Sequence, residues 1–396
     1  MFTDRGAVSS LIVIQALSMA AMEMTGPFWP LHIQALLGPT GQQHLALLAM
    51  TAYAGPMLAA MAFAPVWGRL GDKLGLRAMV IRALIALGMF QAMMVFTSDP
   101  IVVVTFRCLQ GGLAGFLVAA QAYSLLCCGA EKARTLAMLQ SATAIGALLG
   151  PVLGGWALDI YGFQFICAIA SVICIGCAGC CLLLPDHRPQ ILIKQNPGPH
   201  EKTDRLWISG LLIIIALLQI AKVIPQPFYS LYIAEVLGGP GWLIGISYAA
   251  SAMTLAISAP LWGRLFNKRP VLQTLGAIEF VVWASAITMG LAAIASSWTT
   301  FIFARLAWGV WQGALLPVMY ILIAQTTEPA HHGFLFSLGN SAAKGGALLG
   351  IAVGSAALAW IELSYSFWIV VVAYVAAALA IRLIRKRIRV PVTQAG

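Results

Sequence analysis

Twelve long apolar runs separated by short polar stretches constrain this chain more than any other feature. They lie near residues 8–37, 44–67, 77–97, 100–127, 132–158 and 162–184, then 205–237, 241–265, 270–294, 298–325, 333–359 and 362–385. Roughly 20 apolar residues in a helix cross about 30 Å of hydrocarbon. Lipid offers no water to backbone amides, so each run must close its hydrogen bonds internally, as a helix does. A β-barrel would show alternating segments of about ten residues, and these runs are continuous. Composition agrees: 61% of the 396 residues are apolar and 9% are charged, against about 25% charged in soluble domains. A water-soluble enzyme and a disordered chain are both excluded. The expected fold class is an all-α integral membrane protein with twelve transmembrane helices. The first run is too long for a cleaved signal peptide, and no small-residue cleavage site leads into a polar region.

The basic residues set orientation. One alternating set of connections holds Arg69, Lys73, Arg77, Lys132, Arg134, Arg188, Lys194, Lys202, Arg205, Arg264, Lys268 and Arg269. Arg5 and the tail residues Arg382, Arg385, Lys386, Arg387 and Arg389 fall on the same side. The other set holds only acids, such as Asp99, Asp159, Glu235 and Glu362. The positive-inside rule puts both termini in the cytoplasm, in the inner (plasma) membrane of a bacterium. The formal charge of +10 is thus an orientation signal and no footprint of nucleic acid. The eight cysteines lie in or beside apolar helices; Cys174, Cys177 and Cys180 have ligand-like spacing but no His, Asp or Glu among them, so they read as small apolar residues.

The chain also repeats itself. Pro27-Phe28-Trp29 recurs as Pro227-Phe228-Tyr229, and Ala64-Pro65-Val66-Trp67-Gly68-Arg69-Leu70 as Ala259-Pro260-Leu261-Trp262-Gly263-Arg264-Leu265. Arg107 with Gly111 and Gly115 recurs as Arg305 with Gly309 and Gly313, and Gly146-Ala147-Leu148-Leu149-Gly150 as Gly346-Ala347-Leu348-Leu349-Gly350. The offsets run from 195 to 200. The expected domains are a six-helix bundle over 1–185, a cytoplasmic linker over 186–204 and a second bundle over 205–396. Six plus six spans of equal topology are parallel repeats, related by an axis along the membrane normal, and a site at their interface can alternate between the two sides.

Three motifs carry a family resemblance over the whole chain. Gly68-Arg69-Leu70-Gly71-Asp72-Lys73-Leu74-Gly75-Leu76-Arg77 follows span 2, Arg107-Cys108-Leu109-Gln110-Gly111-Gly112 lies on span 4, and Gly146 to Gly155 lies on span 5. In this order the chain resembles the Major Facilitator Superfamily, and within it the twelve-span drug:proton antiporters. The second copy of the loop has no Asp, and Ile351 stands where span 5 has Pro151. Gly146, Gly150 and Gly154 recur every fourth residue, on one face, and let another helix approach closely; Pro151 permits a bend. The resemblance implies that this face joins the two halves near the outer side. It also implies that Asp72, beside Arg69 and Arg77, locks the inner gate, where an acid can cap a helix N-terminus.

Glu23, Arg107, Lys222, Glu279, Arg305 and Lys344 lie inside spans, where each charge costs on the order of 3 kcal/mol. They must face water or each other. The family places spans 1, 4, 7 and 10 around the central cavity, which selects Glu23, Arg107, Lys222 and Arg305. Lys344, two residues before Gly346, is a further candidate; Glu279 reads as an acid paired with a neighbouring span. Trp29, Gln219, Gln226, Tyr229, Trp308 and Gln312 complete the candidate pocket. Surplus positive charge in low dielectric attracts anions. That favours a carboxylate-rich, siderophore-like substrate.

No phosphate-binding loop is present, so the expected energy source is a proton gradient, with no other cofactor. Glu23, next to Arg107 or Lys222, is the coupling candidate. The expected function is proton-coupled export of a small organic molecule by a monomer, with no enzymatic activity. A broad-specificity multidrug pump and a proton-coupled importer are the alternatives within the fold, and a membrane receptor is the alternative outside transport.

Overall fold

The computed structural model describes residues 4–127, 132–186, 205–267, 269–326 and 332–387. Among them it contains helices and turns and no strand. Span 1 is α1 (Asp4–Thr25) and α2 (Trp29–Leu37), separated by a 3-10 turn at Gly26–Phe28. Spans 2 and 3 are α3 (Leu45–Leu74) and α4 (Leu76–Val95). Span 4 is α5 (Pro100–Leu113) and α6 (Phe116–Cys127); spans 5 and 6 are α7 (Lys132–Tyr161) and α8 (Phe163–Cys181). Span 7 is α9 (Arg205–Val223), a turn, the single-turn α10 (Tyr229–Leu231) and a π-turn at Tyr232–Val236. Then come α11 (Gly241–Asn267), α12 (Val271–Ala293), α13 (Trp298–Thr326), α14 (His332–Trp360) and α15 (Ser366–Arg387). Eleven segments of the described residues are long and apolar enough to cross a membrane; α13, with 29 residues, occupies the place of the tenth expected span.

Local chemistry explains the boundaries. Asp99 caps α5: its Oδ1 accepts from Ile101 N at 2.8 Å and Val102 N at 3.3 Å, with Pro100 at the first helical position. Both are standard helix-start signals. Pro27 breaks span 1, and Pro225 and Pro227 flank the matching break in span 7, because proline lacks the N–H that would continue the helix. The two broken segments end alike, at Gly38 (φ 61°) and Gly238 (φ 60°), a conformation in which only glycine is unstrained.

Contacts divide the chain into two units, Met1–Leu192 with Ile233–Ala249, and Ile193–Tyr232 with Ala250–Gly396. In the first, α1 packs on α7 and α8, α4 on α8 and α6, and α3 on α5. In the second, α9 packs on α14 and α15, and α12 on α13 and α15. The sequence repeat reappears as repeated contacts. Gly146, Gly150 and Gly154 of α7 lie against Ala16, Ala20 and Met24 of α1; Gly346, Gly350 and Gly354 of α14 lie against Ala216, Ile220 and Ile224 of α9. Every partner is displaced by 200 residues. In both copies a Cβ on the glycine would strike the facing backbone, so close approach is what the glycines supply. Likewise Trp67 Nε1 donates to Gly112 O at 2.7 Å and Trp262 Nε1 to Val310 O at 2.8 Å.

This corrects the expectation that the Gly146, Gly150 and Gly154 face joins the two halves. That face belongs to α1. The next face of α7 meets the second repeat: Pro151 and Gly155 lie against Gly245 and Gly241 of α11. A four-residue stripe points one way only, and residues one position further on point about 100° round the helix. The buried cysteines 174, 177 and 181 of α8 join the apolar core formed with α1, α4 and α6.

Candidate functional site

Each unit places one arginine against one aromatic ring at repeat-related positions. In the first, the break at Gly26–Phe28 sets Glu23 at the end of α1 and Trp29 at the start of α2. The freed Gly26 carbonyl accepts from Tyr53 Oη at 2.9 Å. Arg107 of α5 stands over the Trp29 ring, 4.8 Å from its centroid, a cation–π contact strengthened by desolvation. Its Nη1 donates to Gln110 Oε1 at 2.6 Å, and Gln110 Nε2 donates to Leu87 O of α4 at 3.1 Å. Gln110 is thus locked and holds the guanidinium. Arg107 Nε is buried without a hydrogen-bond partner. Glu23 is half-buried beside Gly26 and Gly150. It and Arg107 interact electrostatically without a direct ion pair.

In the second unit Arg305 of α13 is 4% exposed. Its Nη2 donates to Ser251 Oγ at 2.9 Å. Its guanidinium stands 4.9 Å from the Tyr229 ring centroid and 4.3 Å from that of Trp308. Tyr374 Oη accepts from Trp308 Nε1 at 3.1 Å and also from Gln312 Nε2. Phe301 and Phe367 wall the Tyr229 side at 6.2 Å and 6.5 Å between centroids. Lys222, in the last turn of α9, is half-buried and has no hydrogen bond or ion pair among the described residues. Gln219 and Gln226 are half-buried on the same segment. Lys344 is exposed on α14, and among the described residues no hydrogen bond or ion pair joins it to the Arg305 cluster.

Glu279 lies apart from both clusters. It pairs with Arg385 at 3.0 Å and with Arg382 at 4.0 Å, tying α12 to α15. Among the loop residues, Arg69 is exposed, and Arg77 donates to Cys181 O at 3.2 Å and to Leu182 O. That contact satisfies the end of α8, as a basic residue at a helix C-terminus does. The Asp72 side chain lies outside those described.

Several residues that the structure brings into play were not singled out from sequence. Tyr53 and Tyr374 carry no pattern, because their roles depend on which helices meet. Arg82 is different: it is an ionisable residue well inside an apolar run, so the signal was present. It lies five residues after Arg77 and reads as part of the basic flank. In the structure its guanidinium stacks on Trp67 at 3.6 Å and Nη2 donates to Ala114 O at 2.7 Å. Span 4 breaks there, with Gly115 at φ 77°. Arg82 and Trp67 therefore satisfy carbonyls that the broken helix leaves open.

A chain of membrane-spanning helices in two repeats, with half-buried Arg107 against Trp29 and buried Arg305 against Tyr229 and Trp308, has the architecture of a membrane transporter. The Major Facilitator Superfamily model matches residues 11–278 and again 211–395, and the chain belongs to that family. It is 26% identical over 382 residues to the staphyloferrin B transporter of Staphylococcus aureus, covering 92% of this chain and 89% of the relative. It is also 26% identical over 358 residues to the multidrug resistance protein MdtG of Escherichia fergusonii, covering 88% and 86%. In fold it is similar to a bacterial homolog of the lysosomal transporter Spinster (TM-score 0.73, 13% identity, 96% of each chain). The nucleoside transporter NupG is equally similar (TM-score 0.73, 12% identity, 94% of this chain and 99% of that one).

Proposed function

We propose that the protein exports a small organic anion across the bacterial inner membrane in exchange for protons, with both termini in the cytoplasm. The carrying observation is the balance of intramembrane charge. Arg107, Lys222 and Arg305 lie inside apolar spans, and Glu23 is the one intramembrane acid of the candidates left to balance them, since Glu279 is engaged by Arg385 at 3.0 Å. Charges this costly are retained for function, and a cationic surplus in low dielectric selects anions. The relative named a staphyloferrin B transporter supports a carboxylate-rich, siderophore-like substrate. In the first unit Arg107 and Trp29 are the groups offered to an anion; in the second they are Lys222, Arg305, Tyr229 and Trp308.

Glu23 is the proton carrier in this reading. It lies at the end of α1 in the same unit as Arg107, so that an anion engaging Arg107 changes the field in which Glu23 binds a proton. Exchange follows without ATP.

Broad multidrug efflux is the second reading, favoured by the likeness to MdtG and by the aromatic surroundings of Arg305. Flux in proteoliposomes under an imposed pH gradient separates the two, with citrate and tetraphenylphosphonium as anionic and cationic probes. The proposal expects proton-driven movement of citrate, lost in Glu23→Gln while citrate binding persists. Movement of the cation alone, or full activity in Glu23→Gln, overturns it.

A further inference from the structure

We infer that Gly26 and Tyr53 are positioning residues for Glu23: the glycine leaves the space that the carboxylate fills, and the tyrosine fixes the turn that carries the glycine. Together they set the pH range in which that carboxylate exchanges its proton. The inference rests on the reading of Glu23 as proton carrier and adds to it what holds the group in place.

The geometry is local to the break in span 1. A Cβ on Gly26 would stand 2.9 Å from Glu23 Oε2 and 3.7 Å from its Cδ, and would meet nothing from any other helix within 4 Å. The carboxylate therefore occupies the place where a larger residue would put its first carbon. On the α7 side, a Cβ on Gly150 would come 2.8 Å from Glu23 Cβ, so the side chain is confined by two glycines. Among the described residues Glu23 makes no hydrogen bond or ion pair. Space, and no polar partner, fixes where it stands.

The turn that makes this space is itself held. In a continuous helix the Gly26 carbonyl would accept from the amide of residue 30, but that residue is Pro30 and has none. An open carbonyl inside a span needs another donor, and Tyr53 of α3 supplies it, Oη to Gly26 O at 2.9 Å. Next to it, the fully buried Gln91 of α4 donates to Thr25 Oγ1 at 3.3 Å. The charged or titratable groups around this place are Arg107 of α5, Tyr53 of α3 and Tyr248 of α11, with Cys108 and Cys167 near Arg107.

The second copy of the repeat separates the seat from the break. Pro27 recurs as Pro227, and span 7 breaks as span 1 does. Yet Glu23 corresponds to Val223, Gly26 to Gln226 and Pro30 to Ser230. Where the acid is absent, the glycine and the second proline are absent with it. A break in the span does not require them; a seated carboxylate does.

The test is carbodiimide labelling of Glu23 as a function of pH, read by mass spectrometry on the protein in lipid nanodiscs without substrate. The reagent takes protonated carboxyl groups, and Glu23→Gln identifies the signal. Gly26→Ala sets one methyl against Oε2 at a residue outside the left-handed region. It should move the labelling midpoint by about one pH unit, tenfold in proton affinity. Tyr53→Phe removes one hydrogen bond and should move it by about half a unit. Gly176→Ala, where a Cβ meets nothing within 4 Å, should keep the wild-type midpoint. Wild-type midpoints in both Gly26→Ala and Tyr53→Phe overturn the inference. So does a lowered melting temperature in these variants with wild-type midpoints, which would make the pair structural alone. Proton-driven flux that persists in Glu23→Gln would remove the proton carrier instead, and the midpoints would still judge the seat.

Discussion

The Arg107 and Arg305 clusters come from one repeated design and have diverged in their charged neighbours and in what holds each arginine. Each arginine follows the same packing of a glycine against span 2 or span 8, Gly111 on Pro56 and Gly309 on Ser251. Each faces an aromatic ring 200 residues apart in sequence, Trp29 or Tyr229, at nearly equal distance. The first cluster adds an acid, Glu23. The second has Val223 at the matching position and Lys222 beside it. Arg107 is held by an amide, Gln110, whereas Arg305 is held by Ser251 between two rings. The first cluster therefore pairs its arginine with a titratable acid nearby in the chain fold, and the second, among the described residues, shows no acid hydrogen-bonded or ion-paired to Arg305 or Lys222. The two arginines occupy matching repeat positions, and the copies differ at positions 23 and 222.

Substitutions can break this comparison, beginning with the shared scaffold. Gly150→Leu and Gly350→Leu each drive a side chain into the backbone of α1 or α9. Each should cost about 3 kcal/mol or more of stability, read as a lowered melting temperature in detergent. Loss in only one of the two would show that the halves are not packed equivalently. Arg305→Met removes two cation–π contacts and a charged hydrogen bond, together about 3 kcal/mol, and anion affinity should fall on the order of 100-fold in equilibrium binding. Arg305→Lys should recover little of it, because an ammonium cannot match the planar guanidinium between two rings.

Lys222→Ala should weaken anion binding about tenfold, the worth of a charged hydrogen bond, and leave a cationic probe unaffected or better bound. Equal loss for both probes would make Lys222 structural. The smallest effect should come from Arg385→Ala. Its pair with Glu279 is 42% exposed on the arginine side, and such pairs contribute less than about 1 kcal/mol. Transport should stay at the wild-type rate, and a large loss would bring Glu279 back into the site.

The halves of the site differ in how far sequence reveals them. Glu23, Arg107, Lys222 and Arg305 are visible because a charge inside an apolar run has few structural excuses. Glu279 is equally visible by that rule, yet only the structure shows Arg385 of α15 reaching it. Arg82 shows the opposite limit: its charge was legible, but its task, satisfying a carbonyl at the break in span 4, depends on a residue 32 positions away. The glycine stripe is intermediate. Its period identifies a close-packed face, while which helix it meets is a matter of rotation about the α7 axis. The same rotation puts Pro151 and Gly155 on α11.

Sequence alone determined the class of solvent, the run of spans, the twofold repeat and the charges that must have a purpose. These follow from composition and period, which act residue by residue along the chain. Tertiary structure alone decided the partners: Trp29 for Arg107, Ser251 and Trp308 for Arg305, α1 for the glycine stripe, and the Gly26 carbonyl for Tyr53. Those contacts join residues tens to hundreds of positions apart. They depend on the rotation and height at which two helices meet, a quantity that no local pattern encodes.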